Sequence, residues 1–311
     1  MNSTHQNKIF NIIIPLLNEE NSIEHLLNSF SKFQIDGYDY NLIFVDDGSS
    51  DKTFNNIKKY SSRLKNHTSF IIKLSRNWGK EQAMISAIDL ALKQNAIFSI
   101  FMDGDLQHPL SQIEKMIKSY NGGNKIVMNV KNIYLTSFFR KITNFIFYYI
   151  MNKFSKSHIT PRLSDFCLLD NKILPELKNS FKYNSIFRAT VFWLGFRREI
   201  LSLDIEKRAA GNSHFKLNSL ISLAVNTIVS YSSFPIKLML FVGIFLFLLY
   251  FSLFILSFIF QFNLIFFLNI LSYFSIVILM MFVSLTALYL GKILDLSSNR
   301  PIYIIDTIDK L

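Results

Sequence analysis

Two carboxylates stand two positions apart in Asp103-Gly104-Asp105, directly after the apolar run Ile97 to Met102. Side chains at i and i+2 beyond a strand end can converge on one hard cation. Mg²⁺ or Mn²⁺ characteristically bridges a few protein oxygens to substrate phosphates. Alone, Asp-x-Asp also describes an ordinary solvated turn. Gln107, two residues further on, and Pro109, placed to open a helix, favour the metal–diphosphate role.

A second acidic pair, Asp46-Asp47, ends another apolar run and precedes Gly48. Its oxygens could hold ribose hydroxyls or a base N–H. Paired carboxylates leaving water need a cation or N–H donors to compensate. Lys80, in Asn77-Trp78-Gly79-Lys80-Glu81, is one candidate compensator, although a surface lysine at a helix start is the plainer reading. There is no G-x-G-x-x-G and no Walker Lys-Ser/Thr loop, so neither a dinucleotide dehydrogenase nor a P-loop enzyme is supported.

The elements that must position these groups are legible as alternating patterns. Lys8 to Pro15, Asn41 to Val45, Phe70 to Leu74 and Ile97 to Met102 read as buried strands. Between them, helices are expected from Asn21, with Glu24 as a capping box, to Phe33; over Asp51 to Ser61; and over Gly79 to Lys93. Another follows Pro109, with Ser111 and Glu114 as a second capping box, to Tyr120. This alternation predicts an α/β fold with a mainly parallel sheet covered by helices. Ligands of such sheets bind beyond the carboxyl ends of the strands. The clusters Pro15 to Glu20, Asp46 to Ser49, Ser75 to Asn77 and Asp103 to Gln107 all fall there.

The rest of the chain is different material. No Asp, Glu, Lys or Arg occurs from Leu238 to Gly291, and about 20 apolar residues suffice to span a bilayer. A break at Gln261 to Asn263 divides the run into spans at about 236–260 and 264–291. This gives a first domain over 1–234, two spans over 235–292 and a tail over 293–311. Lys237 precedes the first span, and Lys292, Arg300 and Lys310 follow the second, so the positive-inside rule puts both chain ends and the first domain in the cytoplasm. The polar Met1 to Lys8 stretch lacks the apolar core of a secretory signal, and the single Cys167 agrees with a reducing compartment. Leu135 to Lys153 and Phe215 to Tyr231 have the pattern of interfacial amphipathic helices, with a core-facing helix as the alternative for the first. The net charge of +11 fits an anionic lipid surface, and no nucleic-acid docking motif accompanies it.

The succession NIIIPLLNEENSI, LIFVDDGSSDKT, IIKLSRNWGKEQAM, IFMDGDLQHP, LSDFCLLD, FRATVFWLGFRRE and KRAAGNSHFKLNSL resembles family 2 glycosyltransferases of the GT-A fold. Within them it is most similar to the polyprenyl-phosphate branch, which includes bactoprenol glucosyltransferases and, more distantly, dolichyl-phosphate mannose synthase. The resemblance implies a Rossmann-like GT-A domain, juxtamembrane helices and two spans in the bacterial inner membrane. It implies inverting transfer of a hexose from a nucleoside diphosphate sugar, with UDP-glucose the first expectation, to undecaprenyl phosphate for O-antigen or another surface glycan. Pro15, Leu17, Asn18, Glu19 and Asp46 would line the nucleotide site with Asp47 and Lys80 nearby. Asp103 would face ribose or metal, and Asp105 and Gln107 would hold Mg²⁺ or Mn²⁺. Asp165 would lie near the acceptor, and Arg208 with Ser213 would approach the phosphates. A tetramer would fit the same relatives. Two departures stand out: Val127 to Phe139 carries only Lys131 where relatives carry several arginines, and Ser213-His214-Phe215 replaces Ser-Lys-Tyr. Arg140 and Lys141 are then the remaining cations for the acceptor phosphate, with Arg208. No role attaches to Arg188 or Trp193. A processive polysaccharide synthase would carry Gln-x-x-Arg-Trp, which is absent. A non-enzymatic membrane scaffold would have no use for acidic clusters after successive strands.

Overall fold

Runs such as Ile12-Ile13-Ile14 and Leu42-Ile43-Phe44-Val45 have no polar face to offer water, so they form strands buried on both sides. The computed structural model describes residues 7–61, 64, 67–105, 108–131, 162–182, 185–204, 234–260, 265–298 and 300–311. The apolar runs become β1 (Lys8–Leu16), β2 (Tyr38–Asp46), β3 (Ser69–Leu74) and β4 (Phe98–Phe101). They pair in parallel as β4-β1-β2-β3, and β1 and β2 stay in register from Lys8↔Tyr38 to Leu16↔Asp46. Their carboxyl ends therefore open on one rim.

The intervening helices are α1 (Ile23–Lys32), α2 (Thr53–Ser61), α3 (Lys80–Ser86), α4 (Ile88–Lys93) and α5 (Ser111–Asn121). The first buries Ile23, Leu26, Leu27 and Phe30, the spacing of one helical face. The single helix expected over Gly79 to Lys93 is instead broken at Ala87, just after Ser86 Oγ donates back to the Ala83 carbonyl, a bond that bends helices. Neither expected capping box forms. Ser22 occupies the first N-cap position and its hydroxyl turns back to Glu19, while Leu110 precedes α5 without a side-chain cap.

Three strands extend the sheet: β5 (Ile126–Lys131), β6 (Leu163–Asp170) and β7 (Arg198–Leu203), with short helices α6 (Leu174–Ser180) and α7 (Phe187–Trp193) between the last two. Strand β6 runs antiparallel to both β4 and β5, pairing Phe101 with Cys167. Its beginning, with Asp165, therefore lies beside the end of β4. The chain's last residues, expected as a tail, form an eighth strand, β8 (Ile305–Lys310), antiparallel to β3. The full order is β7-β5-β6-β4-β1-β2-β3-β8.

By its contacts the chain divides into two units. Met1–Lys141, Ile159–His214 and Pro301–Leu311 make the sheet unit, and Ile142–His158 with Phe215–Arg300 make the other. In the second unit, α8 (Phe234–Phe260) and α9 (Ile265–Ser297) are joined by a hydrogen bond between the Tyr250 and Ser275 hydroxyls. Pro235–Leu253 is long and apolar enough to cross a membrane, and Ser275–Gly291 is a shorter apolar stretch among the described residues. The expected amphipathic helices at 135–153 and 215–231 lie outside the described residues.

A buried polar relay stitches the central strands. Asn41 Nδ2 donates to Asn11 Oδ1 (3.0 Å), Asn11 Nδ2 to Ala91 O and Ser99 Oγ (2.9 and 3.2 Å), and Ser99 Oγ to Asn171 Oδ1 (2.7 Å). Such a relay fixes register, because a slip would strand buried amides. Asn11→Ala should lower stability by about 1–3 kcal/mol, the cost of leaving a buried partner unsatisfied. Thermal unfolding of the purified full chain measures it.

Candidate active site

Two rim loops are laced together before any ligand enters. The loop after β1 places Asn18 in the left-handed region (φ 53°), and its Oδ1 accepts from Ser50 N at 2.9 Å while its N–H donates to Ser49 Oγ at 3.0 Å. Glu19 N–H donates to Thr53 Oγ1 at 2.8 Å, and Glu20 N–H to Asp51 Oδ2 at 3.1 Å. Left-handed backbone in a non-glycine residue is costly and persists where surroundings dictate it. Pro15, the penultimate residue of β1, is buried, whereas Leu17 just beyond the strand is exposed at the rim.

At the end of β2, Asp46 is fully buried. Its Oδ1 accepts from Ser49 N at 3.2 Å, but its Oδ2 has no hydrogen-bond partner. Burial pushes its carboxyl above the usual range, partly offset by Ser49 and by the nearby Lys73 ammonium. Asp47 is held by the next rim loop. Its Oδ1 accepts from Trp78 N at 2.7 Å and its Oδ2 from Gly79 N at 2.9 Å, so it anchors the loop after β3. The loop passes so close that a Cβ on Gly48 (φ +70°) would lie 2.3 Å from the Arg76 carbonyl carbon, where only backbone stands in the way.

That loop delivers Lys80 at the first turn of α3. Lys80 Nζ lies 2.5 Å from Asp103 Oδ1, beyond β4, and 2.8 Å from Asp165 Oδ2, at the start of β6. Burial opposes the ammonium, but the carboxylates of Asp165 and Asp103 outweigh it and hold Lys80 firmly charged. Burial likewise raises the Asp103 carboxyl, and Lys80 and His108 more than reverse this, leaving it below the usual range. Asp165 Oδ1 has no hydrogen-bond partner, and the Arg188 guanidinium stands 3.8 Å away. The Asp-Gly-Asp turn sits directly on β1: a Cβ at Gly104 would lie 2.2 Å from Leu16 Cδ2.

The structure thus brings Asp103, Lys80 and Asp165 together from three elements distant in sequence, and lays Asn18 and Asp46 on the adjoining loops. Asp105 occupies the same turn as Asp103. Gln107, Arg140, Lys141, Arg208 and Ser213 lie outside the described residues. No group of three or more His, Cys, Asp or Glu gathers among the described residues. The site still fits Mg²⁺ or Mn²⁺ of the substrate-bridging kind. Its protein donors are hard carboxylate oxygens, few in number, on a turn where Asp103 is held ionised, and such ions complete their shell with phosphate oxygens and water.

Two groups at the site received no role from the sequence. Glu81, beside Lys80, is pushed to about 7 by burial first and by the Asp165 carboxylate second, against Arg188 and the Phe187 N–H. His108 is buried with its ring stacked on Phe166 (4.7 Å between centroids) and its Nε2 3.4 Å from Ser164 Oγ. Burial lowers its pKa and favours the neutral ring.

A family model for glycosyl transferase family 2 matches residues 11–201. The uncharacterized glycosyltransferase YkcC of Bacillus subtilis (strain 168) is 30% identical over 95% of this chain and 93% of its own length. The bactoprenol glucosyl transferase of Shigella phage SfV is 28% identical over 75% of each chain. Among solved structures, glucosyl-3-phosphoglycerate synthase from Mycobacterium tuberculosis, crystallised with Mn²⁺, UDP-glucose and phosphoglyceric acid, superposes with a TM-score of 0.50 at 16% identity. That match covers 71% of this chain and 78% of the other, and it supports the GT-A-like fold.

Glu81 makes the site's electrostatics measurable. Its folded pKa of about 7 lies above its ordinary 4.5, so the folded state favours the protonated carboxyl. The stability it contributes is complete below about 4.5 and is lost as pH rises through about 7. Glu81→Gln mimics the neutral form at every pH. It should raise the thermal midpoint at pH 8 by roughly 2–4 °C, the size of about 1 kcal/mol in a domain of this length, and leave pH 5 unchanged. Equal shifts at both pH values would contradict the assignment.

Proposed function

The chain belongs to glycosyl transferase family 2, and from that premise we propose that it transfers a hexosyl group from a nucleoside diphosphate sugar, UDP-glucose first, to undecaprenyl phosphate. The observation that carries this reading is the Lys80 ammonium shared between Asp103, on the donor side, and Asp165, on the acceptor side. A site for group transfer between two anionic substrates needs cations fixed at their meeting point, and Arg188 adds a second one beside Asp165. The similarity to bactoprenol glucosyl transferases supports the polyprenyl acceptor.

In the proposed reaction an acceptor phosphate oxygen attacks the anomeric carbon while the bond from that carbon to the nucleoside diphosphate breaks, with inversion. A phosphate monoester has its second pKa near about 6, so the acceptor arrives largely ionised and no strong base is required. Asp165 accordingly orients the acceptor through Lys80 and Arg188 rather than removing a proton. Asn18, Glu19 and Asp46 line the nucleotide, and the partnerless Asp46 Oδ2 is suited to accept from a hydroxyl or base N–H. A divalent cation held by Asp105 and Gln107, with Asp103 adjoining, would offset the charge that develops on the departing diphosphate. Arg140, Lys141, Arg208 and Ser213 would meet the acceptor phosphate.

The reading includes a membrane hairpin, with α8 and α9 as two spans of the bacterial inner membrane and the sheet unit in the cytoplasm. Strand β8 supports it. The chain leaves the sheet after β7 and rejoins the same sheet at β8, so any crossings between Leu203 and Ile305 must be even in number. If α8 crosses, a second segment must return.

Membranes holding the full chain, supplied with labelled nucleotide-sugars and undecaprenyl phosphate, should form one lipid-linked hexose that depends on Mg²⁺ or Mn²⁺. Asp105→Ala should reduce turnover by at least about 100-fold while insertion is unchanged. A polymeric product, or wild-type turnover by the variant at limiting metal, would sink the reading. A reporter fused after Leu311 should be active in the cytoplasm, and activity only outside would overturn the hairpin.

A further inference from the structure

The outermost strand does more than close an edge. Strand β8 brackets β3 at both ends: Leu311 N–H donates to Ser69 O at 2.9 Å, and Ser75 N–H donates to Ile304 O at 3.0 Å. Ser75 is the first residue beyond β3 and opens the loop whose amides hold Asp47. Its hydroxyl accepts from Trp78 Nε1 at 3.2 Å, and the Arg76 guanidinium packs 4.0 Å from the centre of the Trp78 ring. Trp78 and Gly79 then donate to Asp47, and the next residue is Lys80. An unbroken series of bonds therefore leads from the chain terminus to the ammonium between Asp103 and Asp165.

The pairing is also irregular where it matters. Lys73 faces Thr307 but Leu74 faces Ile305, so Asp306 is an extra residue in β8. A bulge of this kind bends and twists a strand and commonly re-aims the chain beside a functional site. Here it brings the Ile304 carbonyl onto Ser75 and leaves the Asp306 carboxylate 3.8 Å from Lys73 Nζ. Lys73 is the same cation that moderates the buried Asp46 from the neighbouring position on β3. The bulge thus reaches both members of the Asp46-Asp47 pair, Asp46 through Lys73 and Asp47 through the loop that Ser75 opens.

We propose that β8 is a positioning element of the donor half of the site: by holding Ser75 and steering Lys73 it sets the loop from Ser75 to Lys80 in its binding geometry. The proposal rests on the nucleotide-sugar reading for its kinetic arm, while its exchange arm needs no ligand. A strand that only covered an edge would affect stability and leave donor affinity alone.

The test uses the full chain carrying Thr307→Pro, which interrupts β8 at its centre. Amide exchange at Trp78 and Gly79 is measured without ligand, and KM is measured separately for UDP-glucose and for undecaprenyl phosphate. Exchange at the two amides should accelerate and the donor KM should rise about tenfold, a factor equivalent to about 1.4 kcal/mol, while the acceptor KM stays within about twofold. A folded variant with both amides still protected, or with donor and acceptor KM rising together, overturns the proposal. If Thr307→Pro does not fold, Lys58→Glu decides. Lys58 Nζ lies 2.6 Å from Asp309 Oδ2, so the reversal loosens β8 from α2 without touching the loop. It should raise the donor KM about twofold, as befits a half-exposed pair, and adding Asp309→Lys should restore it. An unchanged donor KM, or one the second substitution fails to restore, overturns the proposal. If the intact chain turns over no nucleotide-sugar, the proposed reaction has failed, and the exchange arm alone then upholds or overturns the link from β8 to the loop.

Discussion

A carboxylate withdrawn from water must be met by a cation or by N–H donors, and this rim withdraws four: Asp46, Asp47, Asp103 and Asp165. Each is met from a different direction. Asp47 takes two backbone amides of the loop after β3, Asp46 takes one amide of its own turn, and Asp103 with Asp165 share Lys80. The conformation of every loop at the rim follows from these pairings. Gly48 must be glycine because the backbone of the loop holding Asp47 runs across it, whereas a Cβ at Gly104 would have to push the Leu16 side chain aside.

The compensation is incomplete in a directed way. Oδ2 of Asp46, at the end of β2, and Oδ1 of Asp165, at the start of β6, are buried without hydrogen-bond partners. Buried acceptors left open in an otherwise satisfied network are where a ligand's own donors or cations can add most. Burial and neighbouring charge also separate the acids: Lys80 helps hold Asp103 ionised, while burial first and the Asp165 carboxylate second push Glu81 to about 7. One small volume therefore contains a carboxylate fixed as an anion and a carboxyl close to neutrality.

Much of this was legible in the sequence, and the part that was not has definite causes. The four parallel strands announce themselves because strands buried on both faces are continuous apolar runs. The acidic clusters fall at their ends as the chain topology requires. The meeting of Lys80 with Asp165 was not legible, since it depends on β6 running antiparallel and entering the rim at its beginning. Nor was the hold of the Trp78 and Gly79 amides on Asp47 legible, since sequence cannot tell which of two adjacent carboxylates the backbone will claim. Strand β8 was missed because the bulge at Asp306 breaks its period: Ile305 and Ile308 stand three apart, and strict alternation is what marks a strand. Both capping boxes failed because each expected cap residue sits one position away from the real cap: Asn21 precedes Ser22, and Ser111 follows Leu110.

The last strand also fixes a sequence of events in the making of the protein. A chain is synthesised from its amino end, and domains generally fold as they emerge. Here β3 is complete at Leu74, but the residues that cover its outer edge are translated only after both long apolar helices. Until those residues emerge, the nascent sheet carries an open row of N–H and C=O groups, the kind of edge to which other strands add. The edge is therefore covered late: the loop beside Ser75 acquires its outer support only once both apolar helices have left the ribosome ahead of β8.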